Sequence, residues 1–186
     1  MTIYVALLRG INVGGHNQIK MADLRRMFES VGINRVQTYI QSGNVLFDSD
    51  ENVTSLRQRI EQELEKTFSV STTIQLRTSV ELEQIITDCP FSEEERGEAE
   101  ASTDAVTFYV SLLLDSPAPE DIDQLNGLRS EIDDFRVRGR EVYLLLRQGI
   151  RNSKLANSLI RLKTPSTVRN WKTMNKLNVL AKSMET

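Results

Sequence analysis

Apolar residues along this chain fall into short runs and amphipathic stripes that switch between strand and helix periodicity. A compact apolar run over residues 3–8 (Ile-Tyr-Val-Ala-Leu-Leu) predicts a strand over residues 3–9. Met21, Leu24, Phe28 and Val31 then recur at helical spacing, predicting a helix over residues 20–31 that Gly32 stops. Residues 36–40 and 44–47 read as two strands around the Ser42-Gly43 turn. A second helical stripe follows in Val53, Leu56, Ile60 and Leu64, with Asn52 as its N-cap and Phe68 closing it. Residues 73–77 make a fourth strand, and Thr78 with Glu81 forms a capping-box pair for a short helix to about Asp88.

A second round begins after a stretch without apolar periodicity. Residues 91–103 hold Glu93, Glu94, Glu95, Glu98 and Glu100, and are expected to be a solvated linker. Beyond it, residues 105–114 predict a strand in which Val106, Phe108 and Val110 demand burial, and residues 117–128 a helix. Residues 134–138 and 141–146 predict a hairpin around Gly139. Ser153 caps a helix carrying Leu155, Leu159 and Leu162, residues 164–168 read as extended, and a last helix from about Arg169 buries Trp171, Met174, Leu177 and Ala181. The expected fold is α+β: two tandem ferredoxin-like βαββαβ sandwich units with an additional C-terminal helix. The boundaries expected are residues 1–88 for the first unit, 89–103 for the acidic linker and 104–186 for the second.

Composition changes this picture in one respect. The net charge of -3 conceals a division: residues 1–135 hold 11 Lys/Arg against 24 Asp/Glu, whereas residues 136–186 hold 12 against 2. A basic quarter on an acidic body marks either a surface for an anion or nucleic acid, or a set of charges that neutralise the acidic part. The single cysteine, Cys89, and the single histidine, His16, form no zinc pattern and no intrachain disulfide. The apolar run at residues 3–8 is far shorter than the about 20 residues of a membrane span. A cytoplasmic protein with no metal and no cofactor is expected.

Topology turns two loops into a candidate site. In a βαββαβ unit the end of the first strand and the turn between the second and third lie at one edge. This brings Arg9, Gly10, Asn12, Gly14, Gly15, Asn17 and Lys20 beside Gln41, Ser42, Gly43 and Asn44. Glycines let backbone N–H groups approach an anion, and the loop leads into a helix N-terminus with Lys20 beside it. The spacing is neither a dinucleotide fingerprint nor a phosphate loop, and turn chemistry accounts for glycines equally well. A second anion site is expected at Arg138, Arg140, Arg147, Arg151, Ser153 and Lys154, where the basic hairpin meets a capped helix. Arg136 joins Arg138 and Arg140 on one strand face unless the turn at Gly139 interrupts the register.

The segments Leu8-Arg-Gly-Ile-Asn-Val-Gly-Gly15, Thr38-Tyr-Ile-Gln-Ser-Gly-Asn44, residues 149–155 and Arg169-Asn-Trp171 closely resemble the bacterial family catalogued as domain of unknown function 1697. The resemblance runs from Tyr4 to about Ala181 and implies two α/β sandwich units of ferredoxin-like type. It implies no reaction. No nucleophile, base and orienting acid assemble by motif, and the aromatic signature of RNA-recognition sheets is missing. The function expected is binding of an anionic, phosphate-bearing ligand, with a small molecule expected as the partner ahead of nucleic acid. The alternatives are an enzyme with its site at the glycine loop, and a nucleic-acid-binding or homo-oligomeric interaction module; no membrane partner is expected.

Overall fold

The computed structural model describes residues Met1–Thr186 and divides into two compact units, Met1–Gln84 with Asn175–Thr186, and Ile85–Met174. In the first unit β1 (Thr2–Leu7), α1 (Met21–Ser30), β2 (Asn34–Tyr39), β3 (Asn44–Ser49), α2 (Val53–Phe68) and β4 (Gln75–Thr78) follow in order. Their strands form one antiparallel sheet ordered β2-β3-β1-β4. The local signals for these elements are satisfied in the geometry. Asn52 accepts the N–H groups of Thr54 and Ser55 at the start of α2, and Ser69 closes the helix in a left-handed conformation, its N–H donating to the Glu65 carbonyl.

The stripes of α1 and α2 pack onto one face of this sheet. Leu24, Met27, Phe28, Leu56, Ile60 and Leu64 join Tyr4, Ala6, Val45 and Phe47 in a single buried cluster. Phe47 is its centre, 5.9 Å from the Tyr4 ring and 5.5 Å from Phe28. The opposite side chains of β1, Ile3, Val5 and Leu7, are buried as well. That explains a continuous apolar run in place of the alternation expected of a one-sided sheet.

After β4 the chain continues with α3 (Ser79–Thr87), then the second unit's α4 (Glu93–Ala101), β5 (Phe108–Leu113), α5 (Pro119–Asn126), β6 (Asp133–Arg138), β7 (Glu141–Leu146), α6 (Lys154–Ser158) and β8 (Ser166–Asn170), and ends with α7 (Trp171–Ser183). By sequence α3 starts in the first unit and α7 ends there. The sheet order β6-β7-β5-β8 repeats the first, and so does the register. Val5 lies opposite Leu46 and Arg77, as Val110 lies opposite Tyr143 and Arg169. In each fourth strand the buried arginine is followed by a helix cap: Thr78 forms a capping box with Glu81, and Asn170 accepts the Thr173 N–H at 2.8 Å. Burial lowers the Arg169 guanidinium to about 10. Two antiparallel sheets and seven α-helices define an α+β protein, and no helix is long and apolar enough to cross a membrane.

Three expectations need correction. The acidic stretch expected to be a linker is helix α4, organised by its start and by polar contacts rather than by an apolar stripe, since Ala99 is its one fully buried residue. Ser92 and Glu95 form a reciprocal capping box, and Glu93, Glu94 and Glu95 occupy the first turn, where the helix dipole favours negative charge. Arg136 grips both Glu95 oxygens at 2.6 and 3.0 Å, donates to the Pro90 carbonyl and lies 3.9 Å over the Phe91 ring. The second correction is that β5 starts at Phe108, leaving Val106 53% exposed. The third is that α7 starts at Trp171, because Arg169 belongs to β8 and Asn170 is the cap.

The Arg136 contact makes α4 acid-sensitive. Hydrogen bonding to Arg136, then to Ser92, holds the Glu95 carboxyl at about 2, below its ordinary 4.5. A depressed carboxyl contributes stability that is present above the unfolded value and lost as pH falls from 4.5 through 2. With both side chains more than a third exposed, the contribution is about 1 kcal/mol or less. Glu95→Gln is therefore expected to flatten the acid limb of the stability curve over that window. Thermal melts of both proteins from neutral to acid pH check it, and parallel curves would refute the assignment.

Candidate functional site

The loop from β1 to α1 meets the β2–β3 turn as topology predicts, and hydrogen bonds fasten the two. The Leu8 N–H donates to the Gly43 carbonyl at 2.8 Å. Asn12 spans the junction: its Nδ2 donates to the carbonyls of Ile19 and Gln41, at 3.0 and 2.8 Å, and its Oδ1 accepts the Ile19 N–H at 2.8 Å. Asn17 donates to the Gly10 carbonyl at 3.0 Å. Asn44 is fully buried, donating to the Tyr39 carbonyl and the Ser42 hydroxyl. Three of the amides expected to face a ligand are thus turned inward, holding backbone.

The glycines follow the same logic. Asn12 N–H donates to the Asn17 carbonyl and His16 N–H to the Val13 carbonyl, so residues 12–17 form a miniature hairpin with Gly14 and Gly15 at its tip. Their φ values of 59° and 79° are those of the mirror-image hairpin turn, which needs positive φ at both central residues. Their amides make no hydrogen bond within the protein. Val13, His16, Lys20 and Gln41 are exposed around them, while Arg9 is half-buried and its carbonyl accepts from Thr72. Gly43 is required by both conformation and space: φ is 84°, and an added Cβ would come within 2.6 Å of Ile11 and 2.9 Å of Leu8.

The basic candidates separate into two groups. On the β6–β7 hairpin Arg136 is held by Glu95, and Arg140 donates to the Leu114 carbonyl; Arg138 is exposed. Ser153 is buried, donating to Asp133 at 2.7 Å while accepting the Ala156 N–H as the cap of α6, so its hydroxyl is not directed at solvent. Around it, Arg151 and Lys154 are exposed and Arg147 half-exposed, and none of the three makes an ion pair. Arg161 and Lys163, which the sequence pattern did not single out, extend this group in the same state. The apolar stripe of Leu155, Leu159 and Leu162 was the signal that Arg161, which falls between its members, must face outward.

Two concavities were also not predicted. One, of about 520 Å³, lies along α2 between Glu61, Glu65 and the hydroxyls of Ser71, Thr72 and Thr73. The other, of about 440 Å³, lies in the second unit against Trp171. No group of three or more His, Cys, Asp or Glu is placed to hold a metal ion. Cys89 is half-buried beside the Phe91 carbonyl, and burial raises its thiol above the ordinary range, the reverse of nucleophile activation.

An α+β chain with two sheets of like order and a fastened glycine hairpin is the class this geometry defines. The family model described as "Protein of unknown function (DUF1697)" matches residues 1–143, and the chain belongs to that family. Among solved structures, a conserved bacterial protein from Streptococcus pneumoniae is similar, with a TM-score of 0.66 and 23% identity over 97% of this chain and 98% of that one. At that identity the likeness shows the fold. No curated protein matches the chain.

The loop geometry makes a direct prediction. Asn12→Gly keeps the φ of 53° available but deletes three hydrogen bonds, so it should lower stability by about 1–3 kcal/mol. Gly43→Ala should cost about 2 kcal/mol or more from positive φ and overlap with Ile11. Denaturant unfolding measures both. A neutral Asn12→Gly would show that these three hydrogen bonds do not hold the loop.

Proposed function

We propose that this protein binds a phosphate-bearing anion through the basic surface of its second unit. One observation carries the reading: residues 142–184 contain nine Lys/Arg and no Asp or Glu, and Arg147, Arg151, Lys154, Arg161 and Lys163 within them make no ion pair. Lys154 opens α6, with Arg147 and Arg151 before it and Arg161 and Lys163 after it in sequence, while Leu155 and Ala156 of the helix and Leu159 just beyond it fill the core. Such a field attracts polyanions and concentrates them at the surface. The glycine hairpin is the weaker of the two expected sites, since Asn12, Asn17 and Asn44 are engaged with backbone; its Gly14 and Gly15 amides and Lys20 are what it would offer an anion. The matching strand orders and registers support reading the two halves as tandem ferredoxin-like units, with this surface on the second. A cytoplasmic setting is part of the same proposal.

Short duplex and single-stranded nucleic acids and inorganic polyphosphate are the probes. Wild-type protein should bind at low salt with log affinity falling linearly against log salt. The variant Arg151→Glu/Lys154→Glu/Lys163→Glu should bind more weakly and with a shallower slope, by about 0.9 for each phosphate of duplex DNA that it no longer neutralises. Exposed positions make the variant's stability change small, which melts would verify. Wild-type protein that binds none of these polyanions at low salt overturns the proposal.

A further inference from the structure

The 440 Å³ cleft of the second unit is within the range of small-molecule sites and lies on residues the proposed anion surface does not use. Phe108 and Trp171 form its aromatic part, their rings edge to face at 5.1 Å. Phe108 is almost wholly buried, whereas Trp171 is half-exposed. The Arg96 guanidinium lies 5.0 Å from the Trp171 ring centre and 5.6 Å from that of Phe108, with its Nε near the Ser92 carbonyl. Lys172 supplies a second positive charge to the lining, and Glu100 and Asp104 supply two negative ones.

These four charges decide what chemistry fits. None of them makes an ion pair, although all line one cleft. A simple anion would meet Arg96 and Lys172 but leave two carboxylates facing it, and a simple cation would meet the reverse. The carboxylates are too few to hold a metal ion. A ligand with a carboxylate and an ammonium on one short frame satisfies both pairs. Val106, 53% exposed on the same lining, and the Trp171 ring leave an apolar wall for the remainder of such a molecule.

We infer that this cleft binds a zwitterion with an apolar side group, of the α-amino-acid class, its carboxylate toward Arg96 and Lys172 and its ammonium toward Glu100 and Asp104. Trp171 is the chain's one tryptophan, so its fluorescence reports on the cleft without a label. L-Phenylalanine and L-leucine should each give a saturable change. L-Phenylalaninamide lacks the carboxylate and 3-phenylpropanoate lacks the ammonium, so each should bind about 10-fold more weakly or worse. Lys172→Gln and Glu100→Gln, both at exposed positions, should weaken L-phenylalanine by a similar factor. Glu100→Gln should not weaken 3-phenylpropanoate. The inference is overturned if 3-phenylpropanoate binds as tightly as L-phenylalanine, which makes the cleft an anion site, or if neither amino acid gives a saturable change up to about 10 mM. Neither result bears on polyanion binding at the α6 surface, which is read separately.

Discussion

Burial of both faces of β1 and β5 is the constraint from which the rest of this structure follows. Each is flanked by two strands, β3 and β4 in one sheet, β7 and β8 in the other, and residues 3–7 of β1 are all buried. A strand covered on both sides has no place for solvated chemistry, so polar function is displaced to edges, turns and surface helices. The same constraint explains why Arg77 and Arg169, at matching register beside Val5 and Val110, are among the most buried charged residues. Taking a guanidinium out of water is costly, and the cost appears as the lowered value of Arg169. Its recurrence at one register position in both sheets makes it a property of the architecture rather than an accident of one strand.

Displacement to the edge has a backbone consequence. Ile40, a β-branched residue, is held at a φ of 48°, a conformation that costs about 1–3 kcal/mol and persists only where neighbours over-determine it. The carbonyls on both sides of it are bound: Tyr39 accepts from Asn44, and Gln41 accepts from Asn12. Two residues beyond the bound pair, Gly43 has no space for a side chain against Ile11. Strain in the turn and the inward asparagines are therefore two sides of one arrangement. A loop that looks like a ligand cradle in sequence is also the fastening that keeps a strained turn against the end of β1.

Elements whose causes are local were legible in the sequence. The run at residues 3–8, the stripe and Asn52 cap of α2, and the Thr78–Glu81 box needed only a few neighbouring residues to be read, and topology then brought Gly10 and Gln41 to one edge. Helix α4 carried the same signal in Ser92 and Glu95. Glutamates without apolar periodicity masked it, because a run of acids has the pattern of a solvated segment whereas the cap signal rests on two residues alone. Side-chain direction was less legible. Nothing in the spacing of Asn12 and Asn17 tells whether an amide faces a ligand or the neighbouring carbonyls, and Arg96 meets Trp171 only after β5 and β8 have paired.

The basic quarter shows how folding sorts like charges. Arginines on the β6–β7 hairpin are taken into the structure: Arg136 by Glu95, Phe91 and Pro90, and Arg140 by the Leu114 carbonyl. Those from Arg147 onward to Lys163 are left to water on a stretch with no carboxylate of its own. With 26 Asp and Glu in the chain, acids to neutralise them are plentiful, yet none falls between residues 142 and 184. Like charges on one stretch repel one another and oppose the compact state, the more so at low salt. The stretch from Arg147 to Lys163 has no carboxylate of its own to relieve that repulsion, so solvent ions are left to screen it.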